Sequence, residues 1–195
     1  MDVASPVRAV IPSLEGPILM VLAGTNHPLN LTEITSMADT GSVSGVRKAL
    51  LRLTDQGVVQ QVPGGYSLNR DHLVASSIFQ LLDLRAEFRH RLVDLSNGLE
   101  PGPLLLGLFG SYARRDGDAD SDIDVLMVTE AAHGDEQAGE VAEKVRLWTG
   151  NPCHVVVLSL ADVRRMRRKR EAILAEWERD LEVFVGDKAA LGFSA

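Results

Sequence analysis

The sequence predicts a mixed α/β (α+β) protein built as two units, and three observations carry that prediction. In the first third of the chain, apolar residues recur at helical spacing and give way to two short β-like runs around a Pro-Gly-Gly turn. Farther on, continuous apolar runs of strand length alternate with amphipathic helical stretches. Between the two patterns the chain breaks at Pro101-Gly102-Pro103. A chain of 195 residues is long enough for one large domain or two small ones, each with its own core. With 45% hydrophobic and 24% charged residues, collagenous, low-complexity and wholly disordered classes are excluded. The longest apolar runs, 18–23 and 104–109, fall far short of the ~20 residues a membrane span needs, so no membrane partner is expected. A single cysteine, Cys153, excludes an internal disulfide and agrees with a reducing compartment. The N-terminus lacks a basic region followed by an apolar core, so the expected compartment is the cytoplasm.

In the first unit, Ser13 precedes the helical stripe Leu14, Ile18, Leu19 and Leu22, which ends at Gly24 before Asn26-His27-Pro28. Thr32 is suited to cap a short helix over 33–38. After the Thr40-Gly41-Ser42 turn, Val43, Val46, Leu50 and Leu53 form a further stripe that stops at Gly57. Val58-Val59-Gln60-Gln61-Val62 and Tyr66-Ser67-Leu68 read as strands around Pro63-Gly64-Gly65. Three helices followed by a hairpin resemble a winged helix-turn-helix, here assigned to residues 1–70. Its recognition helix would carry Arg47, Lys48 and Arg52, with Ser42 and Ser44 near its start, residue types that suit phosphates and base edges. DNA is therefore an expected partner. The unit holds five basic and five acidic side chains, and winged helices also serve as dimerisation or docking modules, so a homodimer stands beside DNA binding.

Residues 71–97 show one amphipathic pattern through Leu73, Ile78, Leu81, Leu82, Leu84, Phe88, Leu92 and Leu95, read as a connecting helix within a 71–100 linker. The second unit, 101–195, opens with the apolar run 104–109. A strand at 123–128, a helix at 135–148 and a strand at 153–158 follow. Ser159 with Asp162 then signals a capping box for a helix, or a broken pair, reaching about Arg179. Residues 71–195 hold fifteen basic and twenty-two acidic side chains, which accounts for the whole net charge of −7. Non-specific nucleic-acid binding over the whole surface is excluded by repulsion, so any such contact is local.

Five of those carboxylates lie between Asp116 and Asp124. The stretch reads Gly110-Ser111-Tyr112-Ala113-Arg114-Arg115-Asp116, then Gly117-Asp118-Ala119-Asp120 and Ser121-Asp122-Ile123-Asp124. A glycine-serine pair after a buried strand lets backbone approach a ligand, and the helix it opens offers N–H groups to phosphate. Asp122 and Asp124, two apart on a strand, project from one face with Cα atoms roughly 6.5–7 Å apart. Such a pair suits Mg²⁺, which takes carboxylate oxygen and keeps waters or substrate phosphates as its other ligands.

Gly-Ser, a short helix with Ala-Arg, then Ser-Asp-Ile-Asp resembles the signature of the DNA polymerase beta-like nucleotidyltransferase superfamily, most closely its minimal nucleotidyltransferase branch. The resemblance covers about 104–158, with a weaker tail to Gly186. It implies a short mixed sheet flanked by helices and Mg²⁺-dependent transfer of a nucleoside monophosphate, AMP from ATP being the expected case. Carried over by residue, Gly110 and Ser111 would hold the triphosphate with Arg114 and Ser121 beside them, and Asp122 and Asp124 would bind metal. Arg114 would steady the loop or reach phosphate. The family supplies a third carboxylate from a later strand. Here His154 stands in its place, a possible general base but a poor Mg²⁺ ligand. Arg115 stands where the minimal branch usually has glycine.

A calcium loop beginning at Asp116 is excluded, because its sixth and twelfth positions would be Ser121 and Met127 rather than Gly and Glu. Asp116, Asp118 and Asp120 read as a solvated acidic loop. The basic run 164–170 reads as a solvated helix, with Arg167 placed to pair with Glu171, or as a grip for nucleic acid or a triphosphate tail. Trp148 and Trp177 read as core residues, and His154 as a residue on a buried strand. Two readings of function remain open: a Mg²⁺-dependent nucleotidyltransferase acting on a hydroxyl, and a DNA-binding regulator whose degenerate transferase fold senses nucleotide. The resemblance also permits a small helical protein partner, as in toxin–antitoxin pairs.

Overall fold

The computed structural model describes Asp2, residues 5–130 and residues 132–193. The chain divides into two compact units, Ser5–Arg85 and Ala86–Ala195.

The first unit begins with a 3-10 turn, Pro6–Ala9, and continues through α1 (Glu15–Ala23), α2 (Leu31–Ala38) and α3 (Val43–Asp55). A hairpin of β1 (Val59–Val62) and β2 (Gly65–Leu68) and then α4 (Ala75–Leu82) complete it. Its core packs Ile18 and Leu22 of α1 against Ile34, Val46, Leu50 and Ile78. α2 starts two residues earlier than Thr32 capping would allow. Asn30 is the extended cap; its side chain accepts the N–H groups of Thr32 and Glu33, both at 3.0 Å, and Glu33 accepts the Asn30 N–H at 2.7 Å. Ser42 caps α3 by accepting the Gly45 N–H at 3.1 Å. In the hairpin, Val59 faces Leu68 and Val62 faces Gly65. Gly65, at φ +143°, lies so close to the Leu29 carbonyl that a Cβ has no room there.

The 71–97 pattern is not one helix. α4 ends at Leu82, the Asp83 N–H bonds back to the Phe79 and Gln80 carbonyls at 3.2 Å, and α5 spans Leu84–Gly98. The apolar residues on either side of this break serve different cores. Ile78 belongs to the first unit's core, whereas Phe88 and Leu92 belong to the second's. A single periodicity concealed two allegiances.

The second unit is a mixed α/β layer structure: β3 (Leu105–Phe109), α6 (Gly110–Arg114), β4 (Ile123–Val128), α7 (Gly134–Thr149), β5 (Cys153–Leu158), α8 (Leu160–Lys169), α9 (Ile173–Asp180), β6 (Glu182–Val185) and a 3-10 turn, Lys188–Leu191. The sheet order is β5-β4-β3-β6. β3 runs antiparallel to β4 and β6, and β4 runs parallel to β5. Ile123, Val125 and Met127 of β4 face a core shared with Phe88, Leu92, Val141 and Val145; Leu126 and Val128 face one shared with Val163 and Trp177. The strict alternation along β4 therefore puts α5 and α7 on one face and α8 and α9 on the other.

The β6 strand is absent from the sequence reading. It is four half-buried residues at a sheet edge, too short for periodicity to register. β5, expected to be buried, is the opposite edge strand, and His154 on it is exposed. Trp177 is fully buried edge-on to Phe109, whereas Trp148 is only partly covered. Ser159 and Asp162 form the expected capping box. The Arg167–Glu171 helical spacing is lost because α8 closes at Lys169 with Arg170 in the left-handed region (φ 55°); Arg167 instead reaches the Leu191 carbonyl at 3.5 Å. Among the described residues, no helix is long and apolar enough to cross a membrane.

Candidate active site

β-sheet register brings the candidate residues together. Phe109, the last residue of β3, lies opposite Asp124 on β4, and Asp124 lies beside His154 on β5. Asp124 is thus held between the Phe109-Gly110 turn on one side and an imidazole on the other, with His154 Nδ1 4.0 Å from its Oδ1. Gly110 is required at this turn for two reasons. Its φ of +68° is one that side chains resist, and a Cβ there would land on the Asp124 carboxylate. Asp122 is exposed, Ile123 between the two aspartates is fully buried, and Asp124 is half-buried, the alternation expected of carboxylates on one face.

Burial pushes the Asp124 carboxyl above the usual carboxylate range; the Asp122 charge adds to the rise, and His154 and Arg114 offset part of it. Burial, together with the charges of Asp124 and Asp122, pushes the neighbouring Cys153 thiol up to about 12. That cysteine is therefore a packing residue and a poor nucleophile.

The acidic loop between α6 and β4 is folded by its own side chains. Ser121 Oγ donates to Asp118 at 2.8 Å and accepts the Asp118 N–H at 2.9 Å, and Asp118 also accepts the Asp120 N–H at 3.1 Å. The hydrogen bond from Ser121 holds the Asp118 carboxyl below its ordinary range. Asn151, almost fully buried after α7, donates to the Ala119 and Ser121 carbonyls at 3.2 and 3.0 Å. Arg114 donates to Asp116 at 3.0 Å and lies 3.8 Å from Asp180 at the end of α9. The hydrogen bond to Asp116 raises the already high pKa of its guanidinium.

Gly110, Asp124 and His154 are therefore brought into one place, with Ser111 next to Gly110 and Asp122 two residues before Asp124. Ser121 is turned into the loop and Arg114 toward Asp116. Asn151 and Asp180 are missing from the sequence reading, since an isolated Asn after a helix and an Asp at a helix end carry no signal until the loop packs against them. In the first unit, Ser42 is spent as a cap and shares a 3.0 Å hydrogen bond with Ser44. Arg52, also exposed, is ion-paired with Glu15, so among the described residues Arg47 and Lys48 are the cations of that set on α3 without an ion-pair partner.

Among the described residues no group of three or more His, Cys, Asp or Glu side chains converges as a metal centre. The fit is to a two-carboxylate site. Asp122 and Asp124 offer hard oxygen from one face, and the missing Cβ at Gly110 leaves the Asp124 carboxylate uncovered on that side, the arrangement Mg²⁺ uses when substrate phosphates and waters complete its shell.

The profile of the nucleotidyltransferase domain matches residues 87–191, more than half of the chain. The chain belongs to the nucleotidyltransferase domain family. The match falls on the second unit and leaves the first outside it. Among solved structures, the chain is similar to a toxin–antitoxin complex with AMP-PNP, at 19% identity over 53% of this chain and 77% of that one, with a TM-score of 0.38. Two mutant forms of the toxin–antitoxin MntA–HpeT are also similar: one at 17% identity over 51% and 74% (TM-score 0.39), the other at 20% over 52% and 75% (TM-score 0.36). No curated protein matches the chain.

The nucleotidyltransferase unit makes two checkable statements. Arg115 closes α6 at φ 64°, a left-handed conformation that costs a side-chain-bearing residue about 1 kcal/mol or more, so Arg115→Gly should raise urea-denaturation stability by about 0.5–1 kcal/mol. Cys153 should resist iodoacetamide at pH 8 in the folded protein and react once the protein is unfolded, as followed by mass spectrometry. Because its folded pKa is raised, its contribution to stability is intact below the free-thiol value of roughly 8.5 and declines as pH climbs toward about 12.

Proposed function

We propose that the second unit transfers a nucleoside monophosphate, AMP from ATP, to a hydroxyl acceptor. The observation that carries this reading is the convergence on Asp124 of the Gly110-Ser111 turn, the Asp122 partner carboxylate and His154. The Gly110-Ser111 backbone is the element suited to receive the triphosphate, because a turn without a Cβ allows phosphate oxygens close to main-chain N–H groups. Asp122 and Asp124 would hold Mg²⁺, which when bound neutralises charge on the reacting phosphates and on the leaving pyrophosphate. Asp124 starts from a carboxyl made less acidic by burial, a state that a nearby cation reverses.

In the transfer, the acceptor oxygen attacks the α-phosphorus, the bond to the bridging oxygen breaks and pyrophosphate departs with that electron pair. The acceptor's proton passes to His154 Nδ1 or Nε2, histidine being the side chain type able to take a proton near neutral pH. His154 is well placed for this role because it stands exposed at the sheet edge against the carboxylate face. Arg114 and Asn151 keep the loop that presents Asp122 in register, the first through Asp116 and Asp180 and the second through two loop carbonyls.

For the first unit we propose a winged helix-turn-helix that meets DNA through α3. Ser44, Arg47 and Lys48, exposed on consecutive turns of that helix, support this reading.

Each proposal has a direct test. With α-labelled NTPs and Mg²⁺ offered one base at a time, ATP should give transfer to an endogenous or added acceptor. Asp122→Ala and Asp124→Ala should each lower the rate at least about 1000-fold, about 4 kcal/mol of transition-state stabilisation; a rate unchanged in the double variant removes these residues from the site. For the first unit, a gel shift on DNA flanking the coding region should weaken steeply with salt and be lost in Arg47→Ala/Lys48→Ala, whereas Arg52→Ala should lower stability rather than DNA affinity.

A further inference from the structure

The second unit carries 14 basic and 20 acidic side chains, yet six of its cations fall within the seven residues from Arg164 to Arg170. All six are exposed on or at the end of α8. Two are occupied, Arg165 by Asp162 and Arg167 by the Leu191 carbonyl. Among the described residues, the side chains of Arg164, Arg168, Lys169 and Arg170 have no ion-pair or hydrogen-bond partner. Arg164 and Arg168 stand one helical turn apart, as do Arg165 and Lys169, and like charges at that spacing repel. The free protein therefore bears a local electrostatic cost in a unit that is otherwise strongly acidic. A bound polyanion would remove it.

We infer that this face of α8 is a binding surface for the phosphodiester backbone of a nucleic acid, separate from the carboxylate site and from α3. α8 starts at the end of β5 opposite His154, and among the described residues none of its cations is ion-paired with Asp122 or Asp124. Three features favour nucleic acid over an anionic membrane. Five of the six cations are arginines, whose planar fork pairs with phosphate oxygens two at a time. The apolar residues of α8, Leu160, Val163 and Met166, are turned into the core with Trp177, so the helix has no apolar face to insert into lipid. Arg164 and Arg167 also rim a cavity of about 240 Å³ backed by Leu160, Val163 and Leu191, a recess into which a phosphate or a base can project from a bound strand. The inference does not depend on the transferase reading, because it requires neither NTP nor metal.

Fluorescence anisotropy of the full chain with a labelled 20-nucleotide single-stranded RNA, in EDTA and without NTP, tests it. Four phosphate contacts at about 0.7 each give a slope of log K against log salt near −3, so affinity should fall about 50-fold between 50 and 200 mM salt. Arg164→Gln/Arg168→Gln/Lys169→Gln should weaken binding at least tenfold and the charge-keeping Arg164→Lys/Arg168→Lys variant by a smaller factor, because lysine keeps the charge but not the two-point pairing, whereas the α3 variant Arg47→Ala/Lys48→Ala should bind within about twofold of the parent. Circular dichroism and Mg²⁺–ATP calorimetry on the same variants should be unchanged if they fold as the parent does. The inference is overturned if the RNA fails to bind at 50 mM salt, if the glutamine variant binds like the parent, or if anionic phosphatidylserine vesicles bind while RNA does not.

Discussion

The parallel pairing of β4 with β5, combined with the antiparallel pairing of β4 with β3, is the constraint on which the rest of the site depends. Backbone hydrogen bonds along six residues of β4 lock Asp124 beside His154 and opposite Phe109, and no side-chain interaction is needed to assemble the group. The alternation of a strand then decides which neighbours join it. Ile123 is sent into one core, while Asp122 and Asp124 are left on the other face, where Leu126 and Val128 continue the same row into the core around Trp177. A slip of one residue would bury the carboxylates and expose Ile123, which the apolar core on each side forbids. Gly110 completes the arrangement by what it lacks, since a methyl group at that point would occupy the position of the Asp124 carboxylate.

Charge in the second unit is handled by position. The acidic loop before β4 is folded by short hydrogen bonds among Asp118, Ser121 and Asn151. Arg114 ties the same loop to the end of α9. Positive charge is instead concentrated on α8, where a run that looked like an ordinary solvated helix has one apolar stripe inside and, among the described residues, four cations without protein partners outside. The net charge of −7 thus conceals two surfaces of opposite sign on one unit.

Much of the fold was legible because its elements obey strong local rules. The Ser159–Asp162 capping box and the Pro-Gly-Gly hairpin turn are short-range chemistry, and the apolar runs at β3 and β4 announce central strands. The misreadings share a cause. One amphipathic pattern over 71–97 hid a break at Asp83, because periodicity reports that a face is buried and not which core buries it. β6 was too short to register, and β5 was taken for a buried strand although it forms an edge. Asn151 and Asp180 acquire roles only through partners about 30 and 65 residues earlier in the chain, distances at which local spacing carries no information.

By itself, the sequence determined the mixed α/β class and the Gly-Ser and Asp-x-Asp spacing that resembles the family's signature. These follow from residue types at fixed offsets along the chain. The tertiary structure alone decided that His154 meets Asp124, that Arg52 and Ser121 are taken up by Glu15 and Asp118, and that four of the cations of 164–170 have no partner among the described residues. Each of those outcomes depends on strand pairing or on packing between distant segments, and it is long-range register that turns a pattern of residue types into a site.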